Sequence, residues 1–526
     1  MEMSLRIGLV LAVGVTVGLS LGGCESGPAP VVETFPTDPA PAVSGAAWWG
    51  FGRDAQHTAI GVGTAQDLDR IVWQKHIDLA PPYSSGQLLI HYGSPAITAE
   101  NTVVLPIRTV GGHFSIEARS GGNGALMWSA DSDYRAPYLG TWIPSYNLSL
   151  SPTGRLHAPE AGGKLWLRDA PDASTGTIQT AVFYGADAYA AAPATYDATV
   201  FIDTPITVDT SGNAFFGFMV TGANPAGLAG GIARVAADGT GAWVAAGVAA
   251  SDPAMVKAAP NSAPALSADE QTVYVAVNGV AGADNSQAGY LVALDSQTLA
   301  TRGRAALNDP NAGTAAVVTD NSTASPTVGP DGDVYFGVAE SINQDHHGRG
   351  WLLHFDATLT MIKIAGSFGW DDTVSIVPAT MVGSYSGTSP YLIMTKYNNY
   401  GNQGAHGDGK NRVAILDPAA SQPDAYANGT VVMKEVLTVL GPTADAEVQG
   451  GVKEWCINTA AVDPATDSIL VNSEDGFLYR WDLGQNQLSQ RIQLSGGLGE
   501  AYTPTAIGAD GAVYAISNAI MFVIGH

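Results

Sequence analysis

The feature that most constrains the fold of this 526-residue chain is a phrase that returns eight times. Each copy has a small polar residue, often a proline, an apolar pair or triplet, a polar turn, and a run rich in β-forming residues. Copies about 45 to about 80 residues apart, with strands in every copy, are typical of a propeller or a repeat array. The clearest copies are SPTVGPDGDVYFGV from Ser325, TPITVDTSGNAFFGF from Thr204 and TPTAIGADGAVYAIS from Thr503, and weaker ones begin at Ser94, Asn147, Ser262, Val377 and Asn458.

Four strand-like segments in each copy predict an all-β fold, an eight-bladed propeller of four-stranded antiparallel blades. In the fifth copy the segments are 327–329, 334–338, 351–356 and 361–366. The last copy has only three, and residues 70–77 have the pattern of a fourth strand. We expect this N-terminal strand to close the ring, which leaves no open end.

The third strand of several copies ends in an aspartate just before a turn. Such a carboxylate can accept hydrogen bonds from backbone N–H groups of the turn. We therefore predict a structural role for these residues, which are Asp295, Asp356, Asp417 and Asp482.

Composition agrees with strands and tight turns and limits the partners. The chain has 63 glycines, and only 13% of its residues are charged. Its net charge of −25 repels phosphate backbones, so we expect no nucleic-acid partner. The same charge favours solubility and cationic partners.

The N-terminus predicts export. Arg6 precedes an apolar stretch that is too short and too interrupted by glycine for a dependable membrane span. The following LGGC, residues 21–24, resembles a bacterial lipobox, which implies cleavage before Cys24 and its lipidation. The alternative is an ordinary secretory signal with an incidental cysteine.

We therefore expect a lipoprotein signal peptide over residues 1–23, a disordered Pro-rich tether over 24–46 and the propeller over 47–526. Glu25 instead of aspartate favours the outer membrane, facing either the periplasm or the outside. The other cysteine, Cys456, has no partner in the chain, so no disulfide framework is expected. We expect it to be a small buried apolar residue.

Two stretches near the start, WWGFGRDAQHTAIG and DRIVWQKHI, resemble the opening of proteins with pyrroloquinoline-quinone-type β-propeller repeats. The later units DGDVYFG…LLHFD and DGFLYRWDL resemble their blades. The resemblance covers residues 47–526 and implies the fold. The family includes quinone-dependent alcohol dehydrogenases and cofactor-free members, such as a lipoprotein of the outer-membrane assembly machine.

This chain lacks the adjacent cysteines that the dehydrogenases carry beside their cofactor. Their calcium ligands and catalytic aspartate also have no counterpart at matching positions. The resemblance is therefore weaker ground for a quinone cofactor than for the fold.

In a propeller, the loops from the fourth strand of one blade to the first strand of the next converge at the mouth of the central channel. These loops are rich in aromatic, carboxylate and carboxamide groups, which suit sugar rings, cationic ligands or metal ions. The alternative is that the aromatic residues pack between blades and the carboxylates cap turns. The predicted ligand-binding residues are Trp142, Trp370, Asp371, Glu454, Trp455, Asn458, Glu500 and Tyr502.

A long loop on the same face supplies oxygen atoms that could hold calcium. We predict Asn398, Asn399 and Asp408 as its ligands, although their spacing does not match an EF-hand. A second long loop, residues 341–349, contains Asp345, His346 and His347. These are either transition-metal ligands or ordinary surface residues.

No known catalytic motif is present. Two functions stay open. The first is an exported, lipid-anchored binding or scaffolding module of the cell envelope that holds a protein or a glycan at the mouth. The second is an enzyme on the same face, either a quinone-dependent oxidoreductase or a carbohydrate-active enzyme.

Overall fold

The eight copies fold into eight antiparallel blades, as the sequence predicts. The computed structural model describes residues 33–41, 43–84, 87–137, 142–280, 287–341, 349–399, 407–446, 448–455, 458–497 and 504–526. We number the blades 1 to 8 along the chain and call their strands A to D from the channel outwards.

Strands A, B and C are mostly buried, whereas strand D of blade 7 alternates between exposed and half-buried residues because one side faces solvent. Strands A are Ala96–Ile97, Ser149–Leu150, Thr207–Val208, Ala265–Leu266, Thr327–Val328, Ser375–Pro378, Ala461–Asp463 and Ala506–Ile507. Strands B are Thr102–Arg108, Leu156–Pro159, Ala214–Val220, Thr272–Asn278, Val334–Val338, Tyr391–Tyr397, Ser468–Asn472 and Val513–Ser517. Strands C are Phe114–Ser120, Lys164–Arg168, Gly231–Val235, Gly289–Asp295, Trp351–Phe355, Arg412–Pro423, Phe477–Asp482 and Ile520–Gly525. Strands D of blades 1 to 4, 6 and 7 are Leu126–Ser132, Ile178–Val182, Gly241–Ala245, Thr301–Ala306, Val431–Leu440 and Gln487–Gln493.

Blade 8 takes its strand D from the other end of the domain. Arg70–His76 pairs antiparallel with Ile520–Gly525, with Trp73 opposite Val523. The prediction that an N-terminal strand closes the ring is confirmed. The core cluster around this joint includes Trp48, Trp73 and Phe522, all buried.

Blade 5 departs from the regular pattern at its rim. Residues 361–366, predicted as strand D, form only two isolated bridges, from Leu352 to Gly366 and from Phe355 to Ile362. The two bridges differ in register by one residue, which interrupts the ladder as a β-bulge does.

Short strands, helices and 3₁₀ turns occur in addition to the A to D strands of the blades. Val200–Ile202 and Lys257–Ala258 pair with strands B of blades 3 and 4, and Tyr83–Ser84 pairs with Gln87–Leu88. The helices are Ala186–Ala191, Pro193–Thr199 and Ala246–Ala249, with 3₁₀ turns at Ala161–Gly163 and Ala379–Met381. Within the described residues, no helix has the length and apolar character needed to span a membrane.

The predicted turn-capping role is confirmed for Asp295, Asp356 and Asp482, whereas Asp417 lies within strand C of blade 6 and accepts its hydrogen bond at an irregularity of that strand. In each case Oδ1 accepts a hydrogen bond from a backbone N–H shortly after it in the chain, and for Asp295 the donors are Gln297 and Thr298. The three other donors are Met361 for Asp356, Ala419 for Asp417 and Gln485 for Asp482.

One end of the channel is closed by residues 48–61, which we call the plug. The plug follows the inner ends of the A strands and hydrogen-bonds them one after another. Its carbonyl oxygens accept backbone hydrogen bonds from Leu150, Leu266, Val328, Ile376 and Val462, in blades 2, 4, 5, 6 and 7. Trp48 forms a bridge with Ile97 of blade 1.

The side chain of His57 connects the plug to strand A of blade 3 and to the residue before strand A of blade 5. The residue is fully buried and has a φ of 61°. Its Nδ1 lies 2.7 Å from the carbonyl oxygen of Pro326, before strand A of blade 5, and its Nε2 lies 3.4 Å from Thr207 Oγ1 of blade 3. Burial lowers the pKa of His57 to about 4, so the ring is neutral at pH 7.

Residues just before the plug also contact the propeller. Phe35 packs edge-on against Trp73 and lies under the Arg119 guanidinium, 4.3 Å from ring centroid to Cζ. The backbone N–H of Ala40 donates to Ser120 Oγ at 3.1 Å. Part of the segment predicted as a tether therefore lies against blades 1 and 8.

Candidate functional site at the channel mouth

The D-to-A loops enter the A strands at the end opposite the plug, so they surround the other opening of the channel. We call this opening the mouth. The mouth contains the residues that the sequence predicts as ligand-binding. Two features define the described part of it: a contact across the channel, and hydrogen bonds between neighbouring loops.

His91 reaches across the mouth. Its Nε2 donates to the carbonyl oxygen of Asn321 at 2.9 Å, and these residues belong to the loops before blades 1 and 5, which lie opposite each other in a ring of eight. Trp142, on the loop before blade 2, stacks on the His91 ring with centroids 4.8 Å apart and planes at 9°. Trp142 is half-buried, so part of its ring remains accessible.

Polar side chains of the mouth join neighbouring loops. Asp371 Oδ1 accepts hydrogen bonds from the backbone N–H and the hydroxyl of Thr323, at 2.6 and 2.8 Å. Asn261 Oδ1 accepts the backbone N–H of Ser145 at 2.8 Å. Asp371 therefore connects blades 5 and 6. This contact is structural and is separate from the predicted role of Asp371 in ligand binding.

The other described candidates differ in exposure. Trp370 is half-buried. Trp455 is fully buried and packs edge-on against Tyr479, with centroids 5.6 Å apart. Glu454 and Asn458 are buried, and the carbonyl oxygen of Asn458 accepts the backbone N–H of Thr373 at 2.8 Å. Glu500 and Tyr502 lie outside the described residues, as do Cys24 and Cys456.

The three predicted calcium ligands make contacts with the protein itself. Asn398 Oδ1 accepts the backbone N–H of Trp455 at 3.1 Å, and Asn399 Oδ1 accepts that of Asp408 at 2.8 Å. Asp408 forms an ion pair with Arg412 at 3.0 Å. Among the described residues, no three His, Cys, Asp or Glu side chains are grouped as a metal site requires. Asp345, His346 and His347 fall outside the described residues.

A buried ion pair near the mouth was missed at the sequence level. Lys257 Nζ lies 3.0 Å from Asp320 Oδ1, and Asn278 and Gln287 donate to the same oxygen at 2.9 Å each. The available signal was a single lysine within the apolar run MVKAAPNSAPAL. Lysine is rarely buried unless its charge is paired, so this residue predicts a partner.

Asp203 lies close to this pair and is fully buried. Neither of its carboxylate oxygens has a hydrogen-bond partner among the described residues. Burial raises the pKa of Asp203 well above its usual range, opposed by Lys257 and reinforced by Asp320. Burial therefore favours the neutral form of this carboxyl group.

Asp372 is the described mouth residue with chemistry suited to proton transfer. It is buried, and its Oδ2 accepts the Thr395 hydroxyl at 2.6 Å and the backbone N–H of Lys396 at 3.1 Å. Burial raises the pKa of Asp372 to about 7, against the opposing charge of Lys396. A carboxyl group that titrates near neutral pH can both accept and release a proton.

The described mouth residues offer the quinone and calcium of the dehydrogenases only part of what each group needs. His91 covers one face of Trp142, so a planar cofactor could stack only on the other face. Calcium needs several oxygen ligands, but an oxygen of Asp371 is engaged by Thr323 and one of Asp372 by Thr395.

Comparison with known proteins finds likeness in fold alone. No family model matches the chain, and no curated protein sequence matches it. Among solved structures, a europium-containing methanol dehydrogenase is 10% identical with a TM-score of 0.54, over 90% of this chain and 89% of that one. The quinohemoprotein alcohol dehydrogenase from Comamonas testosteroni is 12% identical with a TM-score of 0.52, over 93% and 77%. BamB from Moraxella catarrhalis is 12% identical with a TM-score of 0.41, over 82% and 93%. The chain is therefore similar in fold to the quinone-type β-propellers that its repeats resemble.

Proposed function

We propose that this protein is a lipid-anchored binding module of the cell envelope that holds a partner, a protein or a glycan, at the mouth without converting it. The observation that carries the proposal is that the polar and the aromatic side chains of the mouth differ in their contacts. The described acids and amides, such as Asp371 and Asn261, hydrogen-bond neighbouring loops, whereas Trp142 and Trp370 remain partly exposed.

Half-exposed indole rings favour binding. They offer large apolar area, and they lose little conformational freedom when a partner covers them. His91, which is hydrogen-bonded to Asn321, stacks on Trp142 and restricts the orientation of its ring. A rigid aromatic surface of this kind lowers the entropic cost of binding.

The location rests on the LGGC motif at residues 21–24. In the full-length chain expressed in a bacterium, Cys24→Ala should move the protein from the membrane fraction to the soluble fraction. Mass spectrometry of the N-terminal peptide should find acyl chains on Cys24. A C24A variant that stays membrane-bound contradicts the lipid anchor and leaves the binding proposal to its own test.

The binding test uses the purified mature chain against envelope glycans and solubilised envelope proteins. Trp142→Ala and Trp370→Ala should each weaken binding about five- to thirtyfold, because each removes a partly exposed ring. Tyr385→Ala is the control, since Tyr385 is also half-buried but lies on the loop between strands A and B of blade 6, away from the mouth. Binding that survives the loss of both mouth tryptophans contradicts the proposal.

An enzyme is the second candidate, and Asp372 is the observation that favours it, because its pKa of about 7 suits a general base. The two structures with TM-scores above one half are dehydrogenases by their titles. Reconstitution with quinone and calcium, followed by dye reduction with alcohols and sugars, separates the two functions. Turnover that Asp372→Asn abolishes supports the enzyme, and no dye reduction with any substrate excludes the oxidoreductase.

A further inference from the structure

A cavity of about 460 Å³ opens on the outer rim between blades 2 and 3. One wall is strand D of blade 2, Ile178–Val182, with the residues that follow it. The other wall is the turn before strand D of blade 3 and the indole of Trp243, which is half-buried and packs edge-on against Phe218. The described residues that line the cavity carry no charged side chain.

A tryptophan in strand D of blade 1 shows that an indole at the outer rim can accept a cation. The Arg168 guanidinium from blade 2 lies over the ring of Trp128, 4.1 Å from its centroid, and Trp128 is only 7% exposed. Trp128 faces the following blade, whereas Trp243 faces the preceding blade, where the space beside it is the rim cavity.

The lips of the cavity carry negative charge. Asp187 directly follows the lining residue Ala186, and Asp238 directly precedes Gly239, and both aspartates are exposed. A hydrogen bond from the backbone of Thr240 holds the pKa of Asp238 below its usual range, so it is ionised at neutral pH. Two carboxylates next in sequence to lining residues favour a cationic ligand, in a chain whose net charge is −25.

The wall of the cavity also offers an open strand edge. In the described residues, Ile178–Val182 pairs with Lys164–Arg168 on one side only, and Ile178, Gln179 and Thr180 are exposed. An open edge beside a side-chain pocket is the arrangement by which sheets accept an extended peptide as an additional strand.

We propose that the rim cavity binds an extended segment of a partner protein, which pairs with Ile178–Val182 and lays an arginine or lysine side chain on Trp243. The acidic lips select the cation, and the strand edge selects the extended conformation. This site is separate from the mouth and does not depend on what the mouth binds.

The test uses a short, fluorescently labelled peptide of alternating valine and threonine with one central arginine, and the same peptide with glutamine in its place. Fluorescence anisotropy with the purified mature chain should show binding of the arginine peptide that falls as salt is raised. Trp243→Ala should weaken it about five- to thirtyfold, and Trp243→Phe should retain most of it. Thr240→Lys, at an exposed turn position, should weaken it to a similar degree because it adds a like charge at the lip.

Trp142→Ala at the mouth is the control and should leave peptide binding unchanged. Melting curves identify any variant that does not fold. If Trp243→Ala does not fold, the effect of Thr240→Lys on peptide binding tests the proposal instead. Equal binding of the two peptides, or loss of binding in Trp142→Ala, would overturn the proposal. So would the absence of binding, or displacement of the peptide by a neutral oligosaccharide.

Discussion

The blades are joined by different chemistry at the two ends of the channel. At the plug end, backbone groups of residues 48–61 hydrogen-bond the A strands of successive blades, and the side chain of His57 supplies one connection. At the mouth, side chains make the connections, as Asp371, Asn261 and His91 do. Backbone bonds tolerate a change of sequence, whereas side-chain bonds do not. The mouth is therefore the end where sequence can specify a partner, and the plug end is where the fold is secured.

The largest expected effect comes from removing the plug. A chain that begins at residue 62 keeps the closing strand Arg70–His76 but loses the hydrogen bonds to the A strands and buried Trp48 and Phe51. We expect the free energy of unfolding to fall by about 5 kcal/mol or more. Denaturant unfolding measures this, with a chain that begins at residue 47 as the control. Equal stability of the two chains would show that the plug does not secure the fold.

The next largest effect concerns His57. His57→Ala leaves a cavity and removes the hydrogen bond to the Pro326 carbonyl, so we expect a loss of about 2–4 kcal/mol. His113→Ala is the matched control, because His113 is half-buried on a turn of blade 1 and its loss should cost under about 1 kcal/mol. A His57 variant that is no less stable than the His113 variant contradicts the role given to the plug.

At the mouth, Asp371→Ala should cost about 1–3 kcal/mol, because Thr323 loses the acceptor for its backbone N–H and its hydroxyl. Asp371→Asn keeps an acceptor oxygen and should recover most of that loss. Thermal unfolding of both variants sharpens the comparison. If the two are equally unstable, the contact to Thr323 does not explain the effect.

The last effect is a change of stability with pH and comes from Asp372, whose ordinary pKa of 3.8 is raised to about 7 by burial. At a pH between these two pKa values, the Asp372 carboxyl group is deprotonated in the unfolded chain but still protonated in the folded chain. This contribution to the free energy of unfolding therefore falls as pH rises from 4 to 7. Asp372→Asn should flatten the profile in that window.

Asp295 provides the opposite case for the same measurement. Hydrogen bonds from the backbone and the side chain of Thr298, with one from Arg302, hold the pKa of Asp295 below its usual range. Its contribution is present above the ordinary pKa and is lost on acidification. Asp295→Asn should therefore change the pH profile with the opposite sign. Profiles that change in the same direction in both variants contradict the assignment for Asp372.

The repeat period and the closing strand could be predicted from sequence, because alternating apolar residues and tight turns are local signals. The path of the plug could not be predicted, although its sequence, WWGFGRDAQHTAIG, resembles the opening of the quinone-type propellers. Its path depends on positive φ angles at Arg53, His57 and Ala59, which these residue types rarely adopt. The interrupted rim of blade 5 was also missed, since a one-residue bulge leaves the apolar pattern intact.

At the mouth, the residue types could be predicted but their partners could not. Which loop Asp371 or Asn261 reaches depends on the conformation of both loops, and no local pattern encodes it. The buried pair of Lys257 and Asp320 joins a short strand to a loop in the same way. The predicted ligand-binding role of Trp142 and Trp370 and the predicted calcium role of Asn398, Asn399 and Asp408 stay predictions.

The measurement that tests the central claim most directly is photo-crosslinking in intact cells. A benzophenone amino acid placed at Trp142, at the mouth, is compared with one placed at Val62, an exposed residue directly after the plug. Benzophenone reacts with both proteins and glycans, so it does not presuppose the partner. The account predicts a discrete adduct from position 142 and none from position 62. An adduct from position 62 alone, or the same adduct from both positions, would contradict it.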